Sequence, residues 1–326
     1  MTLDEDRSAL LVPKQNRIGE ATLRVTRARD ADEHAQNLSR WDQRYDQLSC
    51  GLFDGQVTEL WLPKTQIFVE TANQQLRQTC AAWPSSVWFG IPAALEGQMS
   101  MGGKSLSEQA VCIRDGGAEF DLMTAPGFDL FGVVVDRAAF GEYLETVEHR
   151  DLEQLLRQND VLDLPLRLKR ELCATLAGIL GDAGDWQVDQ LQTRIFAALA
   201  RLLTAGNAGG DARHRKRLQR QDTVSKVSHY LLQNPDCPPS IPQLCSRFHL
   251  SRRSLQNCFD DVTGMAPLAY MRSLRLNQVR RELKYGDRRR AVSEVAYAWG
   301  FNHLSQFAQD YRRMFGESPS AARGTL

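Results

Sequence analysis

In SRRSLQNCF, residues 251–259, an arginine, a glutamine and an asparagine stand at 253, 256 and 257, an i, i+3, i+4 stripe if the segment is helical. These types share one chemistry. A guanidinium grips guanine O6 and N7 with two donors, and a carboxamide pairs with adenine N6 and N7. With Leu255, Cys258 and Phe259 turned inward, Arg252, Arg253, Gln256 and Asn257 face outward. A second stretch, NHLSQFAQDYRR at 302–313, repeats the mixture. Its Phe307 and Tyr311 turn inward, leaving His303, Ser305, Gln306 and Gln309 available to bases and Arg312 and Arg313 closer to phosphates. Any one of these residues could belong to a plain solvated face. Two such stripes together point to a surface that reads base edges.

The elements that must hold these stripes are themselves repeated. LCSRFHLSRRSLQNCF (244–259) aligns with VAYAWGFNHLSQFAQDY (295–311): a short helix, a turn, and a second helix with a polar first turn. These are the proportions of a helix-turn-helix. Leu244-Cys245 and Val295-Ala296 each set a small residue where two helices approach. Four residues after the small residue comes His249 or Gly300, where the chain must turn; glycine reaches positive φ freely and histidine tolerates it. Leu250 and Phe301 follow as core plugs, and the second turn is one residue longer. Asn302 is the expected cap of the second helix. Gly264-Met-Ala-Pro267 and Gly316-Glu-Ser-Pro319 close the copies with the same grammar, a glycine ending a helix and a proline opening the next segment. Between them PLAYMRSLRLNQVRRELKYG predicts a long helix whose Leu268, Met271, Leu274, Leu276, Val279 and Leu283 pack against both hairpins.

Charge divides the chain in the same place. The 326 residues carry 40 Lys and Arg against 40 Asp and Glu, but residues 1–210 hold 20 against 30 and residues 211–326 hold 20 against 10. A tail at +10 behind a front at −10 implies a polyanionic partner for the tail. Length favours two domains. No window approaches the roughly 18 apolar residues of a membrane helix, the N-terminus lacks a signal-type apolar run, and the seven cysteines form no CxxC pair. A cytoplasmic protein without membrane contact is expected.

The front half predicts an α+β arrangement. Residues 1–40 read as a polar N-terminal segment, and SRWDQRYDQL at 39–48 as a tight helical piece. Then QVTELWL, TQIFVETA, LRQTCAA, SVWFGIP, QAVCIRD, AEFDLMT and FDLFGVVVD give seven strands within 41–136, a β-sandwich or barrel. From 137 to 205 the period becomes 3.6, with AFGEYLETVEHRDLEQLL, LRLKRELCATLAGIL and VDQLQTRIFAALARLL as amphipathic helices. A linker is expected at 206–220, and an all-α domain with two helix-turn-helix motifs at 221–326.

From 222 to 323 these residues resemble the AraC/XylS transcription regulators. The resemblance implies two recognition helices entering successive major-groove segments of promoter DNA, roughly 34 Å apart, with the first motif as the main base reader. It also implies a cupin-like N-terminal barrel that binds a small-molecule effector, helices at 137–205 that dimerise the chain or brace the barrel, and RNA polymerase as a partner. Trp41, YDQL at 45–48, Gly51, Phe53, Thr58-Glu59, Leu76-Arg77-Gln78, Cys80, WPSSVWFGIP at 83–92 and GGAEF at 116–120 are most similar to activators of ethanolamine-utilisation operons. That similarity implies ethanolamine as inducer and adenosylcobalamin as co-effector, although no DxHxxG-type cobalamin motif is present. Regulators of the same type answering to another small amine or acid would share these residues.

Glu59, Arg77, Trp83, Trp88 and Phe89 could form an aromatic box for an ammonium group, or could be barrel core. Catalysis is not expected: His34 and His149 are the only histidines before residue 210, and P-loop, GxSxG and GxGxxG motifs are absent. A methyl-accepting DNA-repair regulator would need clustered, zinc-bound cysteines, whereas these are scattered; a nucleoid-type binder would need no strand-rich front.

Overall fold

The computed structural model describes residues 14–18, 21–94, 97–102, 104–156, 160–181, 187–208 and 214–323. The front half contains β1 (Lys14–Ile18), β2 (Ala21–Ala28), α1 (Ala31–Ala35), β3 (Asp42–Gln47), β4 (Gly55–Leu62), β5 (Thr65–Ala72), β6 (Leu76–Ala81) and β7 (Ser86–Ala94). These are followed by β8 (Ser100–Met101), β9 (Lys104–Ser105), β10 (Ala110–Asp115), β11 (Phe120–Met123) and β12 (Phe128–Asp136). Next come α2 (Arg137–Thr146), α3 (Leu152–Leu156), β13 (Val161–Asp163), α4 (Leu166–Gly181), α5 (Val188–Ala205) and β14 (Asn207–Ala208). The C-terminal part is helical: α6 (His214–Gln233), α7 (Ile241–Arg247), α8 (Arg252–Thr263), α9 (Pro267–Tyr285), α10 (Val292–Ala298), α11 (Leu304–Phe315) and a 3-10 turn at Ala321–Arg323.

Among the described residues, nine strands form one antiparallel sheet in the order β1-β2-β4-β5-β12-β7-β10-β13-β14, and five form a second in the order β3-β6-β11-β8-β9. The two enclose a core of Tyr45, Phe68, Trp88, Phe120, Leu122 and Leu130. The smaller sheet alternates as one half-buried layer should: in β6, Leu76, Gln78 and Cys80 are buried while Arg77, Thr79 and Ala81 are partly exposed. The central strands of the larger sheet are buried on both faces. Its outer face packs Phe89, Val133 and Ile67 against Phe140, Leu176, Ile195 and Leu199 of α2, α4 and α5. All seven expected strands are present, and so is the α+β class.

Three expectations differ. SRWDQRYDQL is not helical at 42–47: β3 pairs with β6 from Asp42↔Ala81 to Gln47↔Leu76, an extended edge that turns Tyr45 into the sandwich core. Within the polar segment 1–40, β1, β2 and α1 are ordered elements, β2 pairing with β4 from Thr22↔Trp61 to Ala28↔Gly55. The first long helix at 139–156 is broken into α2 and α3 at His149, whose φ is +51°. After it β13 returns to the sheet beside β10. Residues 214–220 of the expected linker belong to α6. Among the described residues no helix is long and apolar enough to cross a membrane.

Candidate nucleic-acid interface

The two helical hairpins are built on the same local bonds. Leu250 N donates to Cys245 O at 2.9 Å in the first, and Phe301 N to Ala296 O at 3.0 Å in the second. The residue that lets the chain reverse has positive φ in both, +53° at His249 and +72° at Gly300. Gly300 also faces a tight neighbour, since a Cβ there would lie 2.5 Å from Pro238 Cδ. Ser251 caps α8 by accepting from Ser254 N at 3.0 Å. In the second hairpin Asn302 is not the cap: the longer turn shifts the helix start, and His303 takes that place without a side-chain capping bond.

Each hairpin has its own core. Leu255, Cys258 and Phe259 of α8 join Val224, Val227, Leu231 and Leu244. Phe307, Tyr311 and Phe315 of α11 join Val295, Ala296 and Phe301. The long helix α9 gives Tyr270, Met271 and Leu274 to the first core and Leu276, Val279 and Leu283 to the second. Leu268, expected among its packing positions, is 58% exposed, on the side of α9 turned from both cores.

With those faces buried, all ten expected contact residues are exposed: Arg252, Arg253, Gln256 and Asn257 on α8, His303 at the start of α11, and Ser305, Gln306, Gln309, Arg312 and Arg313 along it. Among the described residues the side chains of Arg252, Arg253, Gln256 and Asn257 make no hydrogen bond or ion pair, so their donors are free for a ligand. The second helix is more constrained. Gln306 Nε2 donates to Asp310 Oδ1 at 3.1 Å, and the buried Asp310 is also paired to Arg272 of α9 at 3.1 Å. The sequence reading missed Asp310, although an i, i+4 amide–acid pair was there to find. It also missed Arg275, which lies 4.6 Å over the Phe301 ring and donates to Trp299 O and Gly300 O, clamping the second turn. Burial and the neighbouring Arg272 lower its guanidinium to about 10, still charged at neutral pH.

The candidate effector residues are not gathered into one box. Glu59 is buried and saturated, accepting from Arg24, Ser39 N and Oγ, Trp61 Nε1 and Gln66 Nε2. Trp83 lies close by, donating to Gln66 Oε1 at 3.3 Å. Trp88 is inside the sandwich, stacked on Phe120 at 4.7 Å, while its neighbour Phe89 faces the opposite way, toward Phe140. Strand alternation forbids adjacent residues from sharing a site. Arg77 is on the other sheet, 3.0 Å from Asp121 and 3.6 Å from Asp46. Burial opposes its charge, but Tyr270, Asp121 and Asp46 together push the guanidinium pKa upward. Arg77 lines a polar cleft of about 340 Å³ between the smaller sheet and α6, with Asp42, Arg44, Asp121, Ser225 and His229.

Residues 244–325 match the family model of the helix-turn-helix domain. The chain is 38% identical over 96 residues to the XylDLEGF operon transcriptional activator 2 of Pseudomonas putida, a stretch covering 29% of this chain and 61% of that protein. It is 34% identical over 92 residues to the probable thc operon regulatory protein of Rhodococcus erythropolis, 28% of each chain. The likeness thus spans less than two thirds of either relative. A probable AraC family transcriptional regulator from Rhodopseudomonas palustris CGA009 aligns at 32% identity and a TM-score of 0.30, over 32% of this chain and 95% of that one. Residues 244–325 of this chain thus carry a helix-turn-helix domain similar to those of these transcriptional regulators.

Proposed function

We propose that the protein is a sequence-specific transcription regulator, an activator, that reads promoter DNA with α8 and α11 and answers to a small molecule bound by its front half. The observation that carries this reading is the pair of exposed polar faces presented by equivalent turns, with the four readers on α8 free of internal partners. Phosphate neutralisation by the basic tail supplies affinity, and the base-facing amides and guanidinium supply sequence preference. Selection of random duplexes by the full chain should enrich a two-part motif. Binding should weaken with a log–log salt slope of about −0.9 per phosphate neutralised. Enrichment of no sequence would sink the reading.

The effector belongs to the same proposal. A small amine suits the cleft beside α6, where Asp42, Glu119 and Asp121 offer carboxylates and Thr79 and Ser225 offer hydroxyls. Ethanolamine is of that class. A corrin is far larger than this cleft, whose one histidine, His229, is already bonded to Gln233, so adenosylcobalamin does not fit there. Because the cleft includes α6, thermal shifts must be read on the full chain, with ethanolamine alone and with adenosylcobalamin added. At a hundredfold excess over Kd, linkage predicts about 2.7 kcal/mol of stabilisation. No shift in either arm removes ethanolamine and leaves the regulator. Homodimerisation through α4 and α5 and contact with RNA polymerase complete the proposal; light scattering of the free chain tests the first.

A further inference from the structure

The front domain touches both hairpins and the helix between them at once. We propose that it is a brace that sets the relative placement of the two recognition helices, and hence the spacing of the half-motifs they read, with Arg281 and Asn277 as positioning residues. This rests on DNA being the ligand of both helices.

The need for a brace comes from the cores. The two hairpin cores are separate clusters that share the helix α9, which changes allegiance between Leu274 and Leu276, and the hairpins also meet where Gly300 approaches Pro238. Two cores that share one long helix shift relative to each other as that helix curves. The front domain spans that point. Toward the first hairpin, Leu48 and Met123 enter its core, and Gln75 Nε2 donates to the carbonyl of Thr263, the last residue of α8, at 3.1 Å. Toward the second, Gln47 Nε2 and Gly51 N both donate to Met314 O near the end of α11, at 2.9 and 3.0 Å. The carboxyl ends of both recognition helices are therefore held by one surface, residues 47–75.

At α9 itself Asn277 acts as a short extra strand. Its Oδ1 accepts from Gln47 N at 3.0 Å and its Nδ2 donates to Gln47 O at 2.8 Å, both backbone groups of one residue. One turn on, Arg281 Nε donates to Asp32 at 2.6 Å, its Nη1 to Asp46 at 2.8 Å and its Nη2 to Tyr45 O. Lys284 pairs with Asp30 at 3.2 Å and Glu33 at 3.3 Å. Buried partners left alone are strongly penalised, so such a cluster fixes geometry more than it adds stability. The faces of α8 and α11 stay exposed while these contacts are made, so the front domain positions the readers without covering them.

Arg281 is the residue to test. Every partner it has among the described residues lies in the front domain, whereas Arg280 also binds Tyr311 and Glu317 inside the second hairpin. The full chain and its variants would be assayed against duplexes in which the gap between the two selected half-motifs is lengthened or shortened by one to several base pairs. The wild type should prefer one gap. Arg281→Glu should lose about tenfold of that discrimination, equivalent to about 1.4 kcal/mol. The charge swap Arg281→Glu/Asp32→Arg should recover part of it, the Asp46 and Tyr45 contacts staying lost, and Asn277→Ala should shift preference in the same direction as Arg281→Glu. Where Arg281→Glu alone does not fold, the swap and Asn277→Ala carry the test. Unchanged gap preference in folded variants, or equal loss of affinity at every gap, overturns the brace. Absence of sequence-specific binding by the wild type instead overturns the regulator reading on which the brace depends.

Discussion

Arg253 stands on the exposed face of α8 with no partner among the described residues, so its removal should cost the fold nothing and the complex a defined amount. Arg253→Ala is expected to lose about 1 to 3 kcal/mol at one base position and relax preference there. A binding selection that returns the wild-type motif would refute it. Gln306→Ala acts on a side chain already held by Asp310 and should weaken one position of the second half-motif. Cysteines report on both halves at the same scale. Cys80 and Cys112 are buried, and burial pushes the Cys112 thiol up to about 12, whereas Cys50 and Cys237 are exposed. Brief alkylation of the native protein at pH 8, read by mass spectrometry, should label Cys50 and Cys237 and spare Cys80 and Cys112.

The hairpin is the element most legible from sequence, because its determinants are local: a small residue, a residue able to reach positive φ, an apolar plug, then a polar turn. His249 and Gly300 both adopt that φ. Gly300→Ala should cost about 1 to 2 kcal/mol from the left-handed backbone alone. The close approach of Pro238 adds to this, since the new Cβ would meet its ring. Denaturant unfolding should show the loss, and His249→Gly should show none. The strand β3 was illegible for the opposite reason. DQRYDQ looks helical by itself, and only pairing with β6, from Gln47↔Leu76 out to Asp42↔Ala81, selects the extended form. The short β13 and β14 are edge additions completing a sheet that α4 and α5 cover, and nothing in their few residues announces it.

At the scale of the molecule, the opposite charges of the two halves are partly spent on each other. Asp30 and Asp32 at the start of α1 face Arg280, Arg281 and Lys284 of α9. Burial alone would raise the Asp30 carboxyl, but Arg280 and Lys284 outweigh it and the net shift is downward. Such a carboxylate stabilises the docked arrangement at neutral pH and loses that contribution as pH falls through its depressed pKa. Cutting the chain at residue 210 would strand Asp30, leave Asp46 with Arg77 alone, and uncover Leu48 and Met123. The 1–210 fragment should therefore melt below the full chain. Equal melting temperatures would show that the two halves do not depend on one another.

Sequence alone determined the repeated hairpins, the faces that carry Arg253, Gln256 and Gln306, the seven strands and the charge division, because each depends on periodicity or composition within a few turns of chain. It left the candidate effector residues open between an aromatic box and barrel core. Whether Glu59, Arg77, Trp88 and Phe89 meet depends on which sheet and which face each strand joins, and such pairings are non-local. Tertiary structure likewise decided that α1, a five-residue helix in a segment that reads as plain polar chain, sits against α9. Its carboxylates have no value to a local pattern; they acquire one only where folding brings Arg280, Arg281 and Lys284 to meet them.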